Sequence, residues 1–156
     1  MVRAVVLSLR PRSWGQSLER HSMPGYSGTP LPKKLGIKDG FRAAFTNAPP
    51  DVLSELHAAL AKCEVAHDHK QSLDFAMLFT KSKAELAREF KRISRQLAPA
   101  GMLWVSWPKK SSGVASDLDE NIVRDVGLTA GLVDVKVCAV TEVWSGLKFV
   151  RRLKDR

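Results

Sequence analysis

Apolar residues recur along this chain with two periods, one near 2 and one near 3.6. Leu73 to Thr80 is an almost unbroken apolar run bounded by polar residues, the pattern of a strand covered on both faces. Ser82 and Glu85 then form a capping box, and Leu86, Phe90, Ile93 and Leu97 follow at helical spacing. Ala98-Pro99-Ala100-Gly101 breaks that helix, and Met102 to Trp107 is the next strand, ended by Pro108. Upstream, Thr29 caps a short helix with Pro30 at its first position and Gly36 at its left-handed exit. Asp39-Gly40 turns the chain into a strand over Phe41 to Thr46. Pro49-Pro50-Asp51 opens a helix with Val52, Leu53, Leu56 and Leu60 on one face, and a short strand follows near Cys63–Ala66.

Downstream, Ser116 caps a helix whose inner face is Leu118, Ile122, Val126 and Ala130, with Gly131 closing it. Val133, Val135 and Val137 alternate with Asp134, Lys136 and Cys138, which predicts a half-exposed strand. Trp144-Ser145-Gly146 turns it into a last strand, Leu147 to Arg152. Strands alternating with helices and then a hairpin predict an α/β, Rossmann-like fold. Its sheet is mostly parallel, with helices on both faces and a C-terminal antiparallel hairpin. Residues 23–153 make this single domain, 1–22 a loose basic extension with Met23 as an alternative start, and 154–156 a tail. Ligands of such sheets bind outside the carboxyl ends of the strands. The loops Asn47–Pro50, Lys81–Ser82 and Pro108–Ala115 are therefore the ones to watch.

Charge sharpens the picture little. The chain has 156 residues and a net charge of +9. Residues 1–42 hold eight basic and two acidic side chains, so the positive field belongs mostly to the N-terminal arm. Such a field draws phosphate ligands, acidic proteins and nucleic acid alike. Two cysteines, Cys63 and Cys138, are too few for a disulfide-built secreted domain, so a reducing cytoplasm is expected. No apolar run reaches the length of a membrane span, so no membrane partner is expected.

Several blocks carry a resemblance. Pro24 to Leu31, Leu35-Gly36-Ile37, Gly101 to Lys110, Ser112 to Leu118, Val133 to Ala139 and Trp144 to Lys148 look like a bacterial family known only as domain of unknown function 3052. It covers residues 23 to about 153 and implies a bacterial cytosolic protein with no assigned activity. A more distant similarity, over residues 73–152, is to the second half of class I methyltransferases. Those enzymes carry a glycine-rich turn after their first strand, where the backbone approaches S-adenosylmethionine, and an acid after the second strand for the ribose. Here the first place reads Thr46-Asn47-Ala48-Pro49-Pro50, without glycine, and only Glu64 or Asp68 could serve as the acid. The resemblance implies a methyltransferase-like fold without the cofactor.

Among candidate sites, Trp107-Pro108-Lys109-Lys110-Ser111-Ser112-Gly113 leaves a strand on the ligand side with two cations and two hydroxyls. It leads to the helix capped by Ser116, whose free amides favour anions. Tyr26-Ser27-Gly28-Thr29 with Lys33-Lys34 is a second basic, hydroxyl-bearing stretch, placed to fold over the sheet edge and join the first loop in one pocket; a plain structural clasp is the competing reading. Cys63, His67 and His69 share one strand face, yet a fourth ligand is missing unless His57 reaches in, so no metal is expected. Cys138 lacks a histidine partner and reads as inert packing. Trp104 and Trp107 lie on opposite faces of one strand and form no common stacking platform. Trp104 reads as core, Trp107 as a pocket wall and Trp144 as a hairpin tip.

Together these features point to a non-catalytic binding or regulatory module. A phosphate-bearing ligand or acidic protein would sit at Trp107, Lys109, Lys110, Ser111, Ser112 and Ser116, with Tyr26, Lys33 and Lys34 beside them. The alternatives are a divergent S-adenosylmethionine-dependent methyltransferase and nonspecific nucleic-acid binding through the basic arm.

Overall fold

The structure, a computed structural model, describes residues 28–66 and 72–156. Six strands form one sheet: β1 (Arg42–Thr46), β2 (Glu64–Val65), β3 (Leu73–Phe79), β4 (Leu97–Pro108), β5 (Leu132–Ala139) and β6 (Trp144–Arg151). Their order is β2-β1-β3-β4-β6-β5. The first four strands are parallel, and β6 runs antiparallel to both β4 and β5. The expected α/β sheet with a terminal hairpin is present.

The central strand β3 explains the two-layer core. Phe75, Met77 and Phe79 point to one face, and Ala76 and Leu78 to the other. Helices α1 (Leu31–Leu35) and α2 (Pro50–Leu60) cover the first face with Leu31, Leu35, Val52 and Leu56. Helices α3 (Lys83–Ser94) and α4 (Glu120–Thr129) cover the second with Leu86, Phe90, Ile93 and Val123. Trp104 and Trp107 separate as expected, one into each layer, and both are buried.

Several boundaries differ from the sequence expectation. Pro30, not Thr29, is the N-cap of α1, because its extended ψ of 142° keeps it outside the helix. Leu53 is exposed: Val52 and Leu56 define the buried stripe of α2, and Leu53 sits about 100° round from Val52. Leu97 is not helical. It pairs with Leu73 and opens β4, and Ala98 to Gly101 bulge out before Met102 pairs with Phe75. Val135 and Val137 are exposed, since β5 is an edge strand with a bulge at this point. Trp144 to Gly146 belong to β6. The turn is earlier, where the Thr141 hydroxyl accepts from the Val143 and Trp144 amides.

Asp119 caps α4 in place of Ser116. Its Oδ1 accepts from the Ile122 amide at 2.9 Å, and aspartate caps as well as serine does. Leu118 consequently precedes the helix, and Ala130 is exposed at its end.

One ion-pair cluster gives the fold a pH signature. Arg124 of α4 bonds Glu120 and, at 2.9 Å, Asp134 of β5. The Arg124 hydrogen bond holds the Asp134 carboxyl below the ordinary aspartate range. A depressed folded pKa contributes stability above the unfolded value of about 3.9, and that stability is lost as pH falls through the folded one. The pair is partly solvated, so the contribution is small. Asp134→Asn is expected to melt slightly below wild type at pH 7, with the gap closing in acid. A gap that widens in acid, measured by thermal melts across pH, would contradict this.

Candidate functional site

Strands β1, β3 and β4 lie side by side, so the loops leaving their carboxyl ends come together at one rim of the sheet. A cleft of about 630 Å³ opens there, walled by Asn47, Phe79, Thr80, Lys81, Ser82 and Trp144. Asn47 takes a left-handed φ of 59°, which asparagine tolerates better than most residues. Its side-chain amide donates to the Phe79 carbonyl at 3.2 Å and lies 3.5 Å from a Glu85 carboxylate oxygen. Asparagine thus ties the end of β1 to the end of β3 across the cleft floor. Ser82 caps α3 through the Glu85 amide at 3.0 Å, but Glu85 does not complete the capping box; its carboxylate accepts from the Thr80 hydroxyl instead. The Asp117 carboxylate accepts from the Lys83 amide and closes the same helix end.

The loop after β4 is more ordered than its composition implies. Lys110–Ser112 forms one turn of 3-10 helix, ended by Gly113 at φ 78°. Within it the Ser112 hydroxyl donates to the Lys109 carbonyl and accepts from the Val114 amide. Likewise the Ser116 hydroxyl donates to the Lys81 carbonyl and accepts from Leu118. Both hydroxyls therefore hold turns. Lys110 and Ser111 are exposed, and Trp107 is buried in the core beneath α3 and α4. Asp119 and Glu120 occupy the N-terminus of α4, so this helix end already faces negative charge.

The positive groups converge elsewhere. A hollow of about 420 Å³ lies between α1 and β5, lined by Lys33, Lys34, Lys136 and Cys138 among others. Lys34 is buried, and its ammonium donates to the Ala139 carbonyl at 2.9 Å. Lys136 reciprocates by donating to the Lys34 carbonyl at 2.9 Å, which ties α1 to the sheet edge. Burial pushes the Cys138 thiol above its ordinary pKa, and Lys34, Lys136 and Lys109 all pull against it. Lys109, from the β4 loop, thus lies within electrostatic reach of the same hollow. On β6, Lys148 faces Lys136 across the hairpin. Desolvation, then Lys136 and Lys38, lower its pKa. Burial raises the Glu55 carboxyl of α2 above its ordinary range, with the Lys34 charge pulling partly against it.

Of the sequence candidates, Lys33 and Lys34 line this hollow, and Lys109 is not among its lining residues. Tyr26 lies outside the described residues, as do His67 and His69. Cys63 points its thiol at the Lys38 and Ala59 carbonyls, and among the described residues no three metal-ligating side chains cluster. Lys136 was the missed residue. Its place two positions before Cys138 puts both on one strand face, and period 2 alone contains that signal.

A family model now matches residues 36–153, three quarters of the chain. The chain belongs to the family described as protein of unknown function, DUF3052. No curated protein matches its sequence. Among solved structures, it resembles magnesium protoporphyrin IX methyltransferase from Synechocystis PCC 6803, crystallised with bound SAH. The TM-score is 0.52 at 11% identity, covering 78% of each chain. The O-methyltransferase NcsB1 from neocarzinostatin biosynthesis gives a TM-score of 0.55 at 9% identity, over 72% of this chain and 49% of that one. Mitomycin 7-O-methyltransferase MmcR gives 0.52 at 13%, over 78% and 53%. The DUF3052 chain thus spans about half the length of the last two. It shares the class I methyltransferase fold, and the likeness reaches beyond the second half of that fold. Among the described residues, no helix is long and apolar enough to cross a membrane.

Proposed function

We propose that this protein is a non-catalytic binding module that holds a phosphate-bearing ligand at the lysine hollow between α1 and β5. The observation that carries this reading is the hollow itself, which gathers Lys33 and Lys34 of α1 and Lys136 of β5 beside Cys138, with Lys109 adding its charge from the loop after β4. Lysines that line one hollow present positive charge to it, and a multivalent anion accepts from several N–H donors at once. Lys136 spends one of its three donors on the Lys34 carbonyl and keeps two for a ligand. Glu55 offsets part of the Lys34 charge, which leaves Lys33, Lys109 and Lys136 to supply the excess.

Tripolyphosphate is the probe, titrated calorimetrically at low salt. Binding is expected to weaken as salt rises. The double variant Lys109→Gln/Lys136→Gln is expected to bind at least about tenfold more weakly, a loss of ~1.4 kcal/mol. Lys109 is partly exposed and Lys136 exposed; because Lys136→Gln also alters the bond to the Lys34 carbonyl, the melting temperature is measured alongside the affinity and is expected to be unchanged. Deleting residues 1–22 is expected to leave the affinity unchanged. Equal affinity in the lysine variant, or loss on deleting the arm, would overturn the assignment in favour of the basic extension.

A second reading, a divergent methyltransferase, is favoured by the cleft at the carboxyl ends of β1 and β3. Against it stands the cross-tie from Asn47 to Phe79 and Glu85, with prolines at 49 and 50, where close backbone approach would be required. A ligand present at 100 times its dissociation constant raises stability by about 2.7 kcal/mol. The expected result with millimolar S-adenosylmethionine is no shift in melting temperature; a saturable rise would establish the second reading.

A further inference from the structure

The hollow and the cleft leave unused a groove of about 740 Å³ on the opposite layer, between α3 and α4. We propose that this groove docks an acidic, amphipathic segment of a partner protein.

Its floor is apolar. Ala87 and Phe90 of α3 face Ile122 and Val126 of α4. Phe90 is buried by its contact with Phe149, while Ile122 and Val126 remain only partly covered by the core. Its rim is cationic: Lys83 and Lys91 line it from α3, Arg95 from the cap that ends that helix, and Arg151 closes one end from β6. Asp125 is the sole acid among the lining residues. Arg151 is held in place, because its guanidinium donates to the Ser94 carbonyl at 2.8 Å and the Leu97 carbonyl at 2.9 Å. A cation fixed in this way loses little side-chain freedom when a carboxylate arrives.

Charge selects the occupant. Residues 1–27 carry four arginines and one glutamate, so that segment would be repelled, and residues 67–71 are too few to fill the groove. A second copy brings a net +9 of its own. Nucleic acid satisfies the rim but not the apolar floor. A segment with apolar anchors at i, i+3, i+4 and i+7, flanked by carboxylates, satisfies both. α3 is 12 residues long, about 18 Å, and sets the length of helix that fits alongside it.

The probe is a fluorescein-labelled peptide of about 12 residues with leucines at that spacing and glutamates elsewhere, read by fluorescence polarisation against the full chain. Controls are a scrambled peptide of the same composition and a version with lysine in place of glutamate. The acidic amphipath is expected to saturate, with both controls at least about tenfold weaker. Lys91→Glu/Arg95→Glu reverses two exposed rim charges and is expected to weaken binding by about tenfold or more, with an unchanged melting temperature. Tripolyphosphate at saturation is not expected to compete, which separates this groove from the lysine hollow. Equal affinity for the scrambled peptide, equal affinity of the variant, or no saturation would overturn the proposal. Displacement of the peptide by phosphatidylglycerol vesicles or polyuridylate would overturn it too, by assigning the rim to a membrane or to RNA.

Discussion

Replacing Trp104 by alanine is expected to cost about 3–5 kcal/mol of folding stability. Trp104 is fully buried where β4 meets α1, and its indole N–H donates to the Leu35 carbonyl at 2.9 Å. That carbonyl belongs to the last turn of α1, a five-residue helix too short to persist by itself. Truncation therefore opens a cavity and undocks the helix together. Trp104→Phe separates the two effects: it keeps most of the volume but leaves the Leu35 carbonyl without its donor, at a cost of about 1–3 kcal/mol. Both values are read by urea denaturation. Because α1 carries Lys33 and Lys34, the alanine variant is also expected to bind tripolyphosphate more weakly. A loss of stability below about 1 kcal/mol for Trp104→Ala would mean that α1 docks by other contacts.

Gly127→Ala tests the opposite layer and turns on a competition of signs. In an exposed helix this change stabilises by about 1 kcal/mol, through propensity. At position 127, a Cβ would lie 2.0 Å from a ring carbon of Phe149. Phe149 cannot yield cheaply, since it is fully buried and packs edge-to-face on Phe90 with centroids 5.1 Å apart. Overpacking of this kind costs about 1–3 kcal/mol or more, so the net effect is expected to be destabilising. For a chain of this length each kcal/mol lowers the melting temperature by about 2–4 °C. A variant that melts above wild type would show that α4 can lift away from the sheet without loss.

Elements whose identity rests on local periodicity are legible in the sequence. The run Leu73 to Phe79 had to be a doubly covered strand, because seven nearly continuous apolar positions cannot face water on either side. Leu86, Phe90 and Ile93 fell on one helical stripe for the same kind of reason. Positions governed by competition between local partners were not legible. Ser116 and Asp119 are both good caps, and Ser116 was drawn instead into a turn against the Lys81 carbonyl of another loop. Leu97 matched the helical stripe by number, yet Leu73 recruited it into the sheet across 24 residues.

The candidate site divides in the same way. Lys109, Lys33 and Lys34 are legible in the sequence as members of lysine pairs that follow prolines. Lys136 is not, because its importance comes from α1 folding over the edge of β5, a contact between residues 102 positions apart. In the sequence, Asn47 shows only as the absence of a glycine. Its positive contribution, an amide laid across the ends of two strands, appears only once β1 and β3 are neighbours.

The most direct test of the account follows backbone amide resonances of the 15N-labelled protein during titration with tripolyphosphate, and separately with S-adenosylmethionine. Tripolyphosphate is expected to shift the amides of residues 33–36, 109–111 and 136–139, while S-adenosylmethionine leaves the amides of residues 47–48 and 80–82 where they are. Saturable shifts at residues 47–48 and 80–82 with S-adenosylmethionine, and none at 136–139 with tripolyphosphate, would contradict it.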